Sequence, residues 1–244
     1  MDRGPSIPCA LGWGAIHSVT PVTQPADKTA AGFTFYQGYI SVVYGLVATE
    51  GLGQLGERSG WQFRIPPSLL LFLGVFVIGL HFWFICSTVD ESSHKFYRAL
   101  AGDRRAYILF FVDAMVATSF AWLILAMFHG ISSRPRLLFD WFLVAASSSL
   151  AYDLYSLILV GVGRSKTYRK EMQPLASSYG TTVKNWLIQD SSFFLGALLI
   201  FVLDYHQSWS GPGLDVCFVA VSIAVLALDV KFLPGSTGNS AQAQ

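Results

Sequence analysis

The sequence predicts an all-α, polytopic membrane bundle of about six transmembrane helices. Three observations carry that expectation. Hydrophobic residues make up 53% of the 244 positions and charged residues only 13%, a balance that belongs to membrane proteins. Mean hydropathy is +0.49. Apolar runs of the length a bilayer demands recur along the chain, with most Lys and Arg gathered between them.

The elements follow in order. Residues 1–30 form an N-terminal segment without the charged start and apolar core of a cleaved leader. Residues 33–52, rich in Tyr and small side chains, make a weak first span. Four strong spans cover 65–87, 106–128, 137–162 and 186–203. Residues 214–233 are apolar but finish on Asp229 and Lys231, giving a weaker sixth. The bundle therefore occupies 31–233, and the polar tail 234–244 is expected to be disordered. With six spans, only Arg58, Arg64, Arg134 and Arg136 fall on one side; every other Lys and Arg falls on the opposite side, with both termini. That asymmetry favours cytosolic termini.

Several chemistries are excluded or left without support. A net charge of +1 offers nothing to nucleic acid. Cys9, Cys86 and Cys217 are too dispersed for a disulfide framework or zinc site. GLGQLG at 51–56 imitates a dinucleotide-binding loop but follows an apolar helix rather than a strand. No HExxH pair or nucleophile arrangement is present, and Lys231 stands too near a helix end for a buried Schiff base. Neither metal nor cofactor is expected.

What remains is a set of ionisable residues inside the spans, where a charged side chain costs roughly 3 kcal/mol at mid-bilayer. Ser149, Asp153 and Ser156 recur at helical spacing on one stripe, and Gln37, Ser41 and Tyr44 form another. Asp113 shares its face with Ala117 and Ala121, Asp190 lies between Trp186 and Phe194, and His81 precedes Phe82 and Trp83. Asp140, beside Trp141, is expected at the membrane surface. No Lys or Arg lies in the core of the strong spans to neutralise these acids. Three acids and a histidine on successive helices suit proton exchange with an apolar substrate.

The order of features resembles the emopamil-binding protein family, the sterol Δ8–Δ7 isomerases that share the EXPERA domain with the sigma-2 receptor. GLHFWF (79–84) resembles the acid-Gly-Trp-Phe segment of the family's second helix, and YRALAGDRRAYI (97–108) the loop before the third. VDAMVATSFAW places Asp113 at the catalytic glutamate. RPRLLFDWFLVAASSSLAYDLYSL places Asp153 at an aspartate in the fourth helix, and NWLIQDSSFFLGALLIFVLD resembles the fifth. The likeness spans an EXPERA-like core of about 65–206 and leaves the sixth helix as an addition. It implies an endoplasmic-reticulum membrane protein whose two longer loops face the lumen, opposite to the charge asymmetry.

The departures are specific. His81 stands where the family has a glutamate, Val77 where it has a histidine, and Phe194 where it has a cation-stabilising tryptophan; Asp113 is one methylene shorter than its counterpart. The resemblance with these changes implies a cofactor-free isomerase or cyclase acting on another sterol, steroid or terpenoid. His81, Asp113 and Asp190 would exchange protons, and Trp83, Trp122, Ser149, Tyr152, Asp153, Tyr155 and Phe194 would line the substrate cavity. Two alternatives stay open: a non-catalytic sterol-binding or trafficking protein, and a proton-coupled transporter. The expected partners are a hydrophobic small molecule and membrane lipid, with homodimerisation open.

Overall fold

A computed structural model describes residues 28–59, 69–87, 91–133, 135–165, 172–206 and 212–231. Among them are seven helices and no strand: α1 (Lys28–Ser59), α2 (Leu69–Ser87), α3 (Glu91–Ala101), α4 (Asp103–Ser133), α5 (Pro135–Gly163), α6 (Met172–Tyr205) and α7 (Pro212–Lys231). Most of the N-terminal segment, the tail and Cys9 lie outside the described residues.

Five helices, α2, α4, α5, α6 and α7, are long and apolar enough to cross a membrane. The chain is a multi-pass membrane protein. Its helices show the corresponding surface: α2 buries Phe72, Val75, Ile78 and Phe82 yet exposes Leu73, Phe76, Leu80 and Trp83. Apolar residues on both faces are what lipid on one side and protein on the other require.

The expected first span is not among the five. Gln37, Ser41, Thr49 and Glu50 interrupt the exposed face of α1 and dilute its apolarity. Tyr36, Ile40, Tyr44 and Val47 nevertheless bury one stripe against the bundle. Tyr39 meets Thr118 and Gln54 meets His129, so α1 runs parallel to α4. GLGQLG lies inside this helix and forms no phosphate loop.

The five apolar helices close a ring: α2 touches α4, α4 touches α5, α5 touches α6, α6 touches α7, and α7 returns to α2. The last helix, expected as an addition, is the closing member. Gly74 permits this closure, because the Phe218 ring occupies the space its Cβ would fill. Aromatic rings fill much of the interior: Phe82 stacks on Phe120 at 4.3 Å, while Phe142 meets Phe218 at 4.7 Å and Phe193 at 5.1 Å between centroids edge-to-face.

The stretch between α2 and α4, expected as a loop, is largely a helix. Ser93, Phe96, Tyr97 and Leu100 fall at helical spacing and turn inward while Lys95 and Ala99 face out. Gly102, at φ 73°, ends α3 in the left-handed conformation and its amide bonds Arg98 O at 2.8 Å. The helix packs on α4 and α6. There Phe96, Tyr97, Val160, Met172, Ala176, Tyr179 and Val183 form a second, smaller core. The α6 helix begins well before the expected boundary of 186, so Asp190 lies near its middle rather than its start.

Candidate functional site

His81, Asp113, Asp153 and Asp190 are all buried, at 0%, 3%, 2% and 1% exposure. Each of the four therefore points into protein rather than lipid. They form two networks bridged by α5.

The first network joins α2, α5, α6 and α7. His81 Nδ1 lies 2.8 Å from Asp229 Oδ2, and Gln189 Nε2 donates to the other oxygen of Asp229. Across the imidazole, His81 Nε2 faces Asp190 Oδ1 at 3.7 Å. Neither of those two atoms has a hydrogen-bond partner. Ser149 donates to the second oxygen of Asp190. Asp153, on the buried stripe of α5 with Ser149, is the neighbouring acid to Asp190. Phe193 meets the imidazole edge-on at 5.5 Å, and Phe82 lies 5.1 Å from it.

The second network joins α3, α4, α5 and α6. Tyr152 donates to Asp113 Oδ1 at 2.6 Å, and Tyr97 reaches the same oxygen at 3.5 Å. Tyr97 and Tyr179 bond to each other at 3.2 Å. Burial, and then the Asp113 charge, raises the Tyr97 hydroxyl well above its ordinary range, so it stays a neutral donor. The second oxygen of Asp113 has no partner.

The α5 spacing explains the bridge. Ser149, Asp153 and Ser156 lie on its buried stripe, whereas Tyr152 leans towards α4. Successive residues Tyr152 and Asp153 thus serve different networks. Asp229 lies two residues before the end of α7, about 3 Å along the axis. The His81–Asp229 pair therefore sits near the level where α7 stops.

Some expected wall residues lie elsewhere. Trp83 and Trp122 are 39% and 58% exposed and face away from the acids. Trp83 lines a cavity of about 370 Å³ between α1, α2 and α4, and Trp122 one of about 900 Å³ between α1, α4 and α5. A third cavity, about 480 Å³, also opens beside Trp122. None of these three is lined by His81, Asp113, Asp153 or Asp190. The four ionisable side chains meet one another and their hydrogen-bond partners in the buried interior, away from the linings of these three cavities. Phe194 is half-buried, and the ring on His81 is that of its neighbour Phe193. Tyr155 is half-buried beside Tyr152, at 6.2 Å between centroids. Asp140 is exposed, five residues from the start of α5.

Asp229, Gln189, Tyr97 and Tyr179 were not singled out by the sequence. Asp229 resembles an ordinary helix-end acid next to Lys231, and the signal that could have found it is an unpaired intramembrane histidine in need of a partner. Among the described residues, no three His, Cys, Asp or Glu side chains converge closely enough to hold a metal ion. No protein-family model, no curated protein and no solved structure matches this chain.

Proposed function

We propose that this chain is a membrane-embedded, cofactor-free isomerase or cyclase that moves protons on a sterol, steroid or terpenoid intermediate. The observation that carries the reading is the facing pair His81 Nε2 and Asp190 Oδ1, buried, 3.7 Å apart and each without a hydrogen bond. A proton donor and a proton acceptor left unspent in an apolar interior, beside aromatic rings, are the parts such chemistry uses.

A proton carried by the neighbouring Asp153 and Asp190 carboxyls is delivered to one carbon of an alkene, or to an epoxide oxygen, giving a carbocation. The faces of Phe82 and Phe193 stabilise that cation. A base then takes a proton from a different carbon, restoring a double bond and leaving the substrate's atomic composition unchanged. That proton leaves to solvent, and His81, oriented by Asp229, relays a solvent-derived proton to the acid pair. Asp113, held by Tyr152 and Tyr97, is the second candidate base. The family resemblance supports the substrate class and an endoplasmic-reticulum location.

The polar chain Asp229–His81–Asp190 also favours a second reading, proton-coupled transport, in which the same relay carries protons without altering a lipid. The two separate experimentally. Lipids extracted from a host expressing the wild-type chain, compared by mass spectrometry with those from Asp190→Asn and Asp113→Asn, are expected to contain an isomer of a host lipid that both variants lack. Identical lipid profiles in all three overturn the enzyme and leave transport.

A further inference from the structure

The largest of the three cavities, about 900 Å³, lies outside the ring, between α1, α4 and the start of α5, and none of His81, Asp113, Asp153 or Asp190 lines it. Its volume suits a ligand of lipid or drug size. Its lining is not uniform. Glu50, Gln54 and His129 form a polar end, Trp122 and Trp141 stand edge-to-face at 5.3 Å, and Leu46 and Leu125 extend the apolar wall.

The polar end carries a defined chemical demand. Gln54 Nε2 donates to Glu50 Oε1 at 3.0 Å and lies 3.3 Å from His129 Nδ1. With its amide nitrogen so engaged, Gln54 Oε1 is a buried acceptor without a partner. Beside it, exposed Glu50 supplies a negative charge. An unpaired acceptor next to a carboxylate calls for a cation that also donates hydrogen bonds. A primary ammonium meets both requirements, whereas a quaternary ammonium has no proton for Gln54. No Lys or Arg is among the described lining residues, so nothing there holds a phosphate.

The position suits a lipid headgroup. His129 lies four residues before the end of α4, about 6 Å along the axis, at the end of the bundle away from α3. That is headgroup depth, with Trp141 a little deeper, as in interfacial aromatic belts, and Trp122 about 10 Å further in than His129.

We propose that this groove binds a bilayer phospholipid through a primary-ammonium head, of the phosphatidylethanolamine class. The ammonium donates to Glu50 and Gln54 Oε1, the glycerol and upper chain lie along Trp122 and Trp141, and the phosphate stays in the hydrated headgroup layer. This site is independent of the proton-transfer reading.

Native mass spectrometry of the full chain in detergent tests it, with phosphatidylethanolamine, phosphatidylcholine and a long-chain primary amine as separate probes. The expected result is one retained phosphatidylethanolamine, preferred at least about tenfold over phosphatidylcholine, or about 1.4 kcal/mol. Glu50→Gln and Gln54→Leu are expected to reduce that preference towards unity while phosphatidylcholine adducts persist. Equal retention of the two phospholipids by the wild-type chain overturns the proposal without any variant. So does a preference that survives both substitutions. Binding of the amine with none of phosphatidylethanolamine overturns the phospholipid assignment.

Discussion

At the scale of single residues, the two nitrogens of His81 have different tasks. Nδ1 is fixed by Asp229 at 2.8 Å and Nε2 is left facing Asp190 at 3.7 Å. The hydrogen bond at one nitrogen sets which proton the other can exchange. Asp229→Asn keeps the shape but offers an amide in place of the carboxylate. We expect it to lower turnover and displace the pH–rate profile while leaving thermal stability nearly unchanged; an unmoved profile would mean that Asp229 does not orient His81. Asp113→Asn and Asp190→Asn remove proton exchange itself, with an expected loss of about 10²–10⁴ in turnover. Normal turnover with Asp113→Asn would reduce the second network to a structural one, because Tyr152 and Tyr97 can hydrogen-bond an amide equally well.

At the scale of elements, the ring depends on close approaches. A Cβ at Gly130 would lie 2.9 Å from the backbone nitrogen of Leu138, and backbone in the α4–α5 hairpin cannot rotate aside as a side chain can. Gly130→Ala is expected to destabilise the protein by about 1–3 kcal/mol, measured as a fall in thermal midpoint in detergent; no shift would show that the hairpin has slack. The four strong apolar spans were legible in the sequence because lipid demands apolar residues on every face. Two helices were misjudged for opposite reasons. The polar exposed face of α1 lowers its apolarity, yet its tyrosine stripe packs on α2 and α4. In α3 the spacing of Ser93, Phe96, Tyr97 and Leu100 was present but short, and Lys and Arg around it read as a loop. The inward faces of His81, Asp113, Asp153 and Asp190 followed from the cost of burying charge in lipid. Their division into two networks did not, because which helices neighbour each other is a tertiary fact. Trp83 and Trp122 were assigned to the interior on residue type alone, and an aromatic in a membrane helix is at home on the lipid face as well.

At the scale of the whole molecule, the polar groups lie in the half of the ring nearer α3, and the other half is filled by Phe and aliphatic side chains. A proton can reach Asp190 from the end of α7 through Asp229 and His81, with no break longer than 3.7 Å. With His81 where sterol isomerases have a glutamate, the chain is expected to rescue a host lacking its sterol Δ8-isomerase poorly; full restoration of Δ7 sterols would restore plain sterol isomerisation. In the proposed reaction a proton from the protein is added to a substrate carbon or oxygen and another is removed elsewhere. The most direct measurement is incubation of the purified chain, in bilayer discs made with host lipid extract, in heavy water. The expected product is an isomer of an extract lipid that appears only with active protein. It carries one solvent deuterium, at the protonated carbon or on the hydroxyl oxygen of an opened epoxide, read under deuterated conditions that preserve the label. An isomer without solvent deuterium, or a product whose composition differs from its precursor by added hydrogen, oxygen or water, would contradict it.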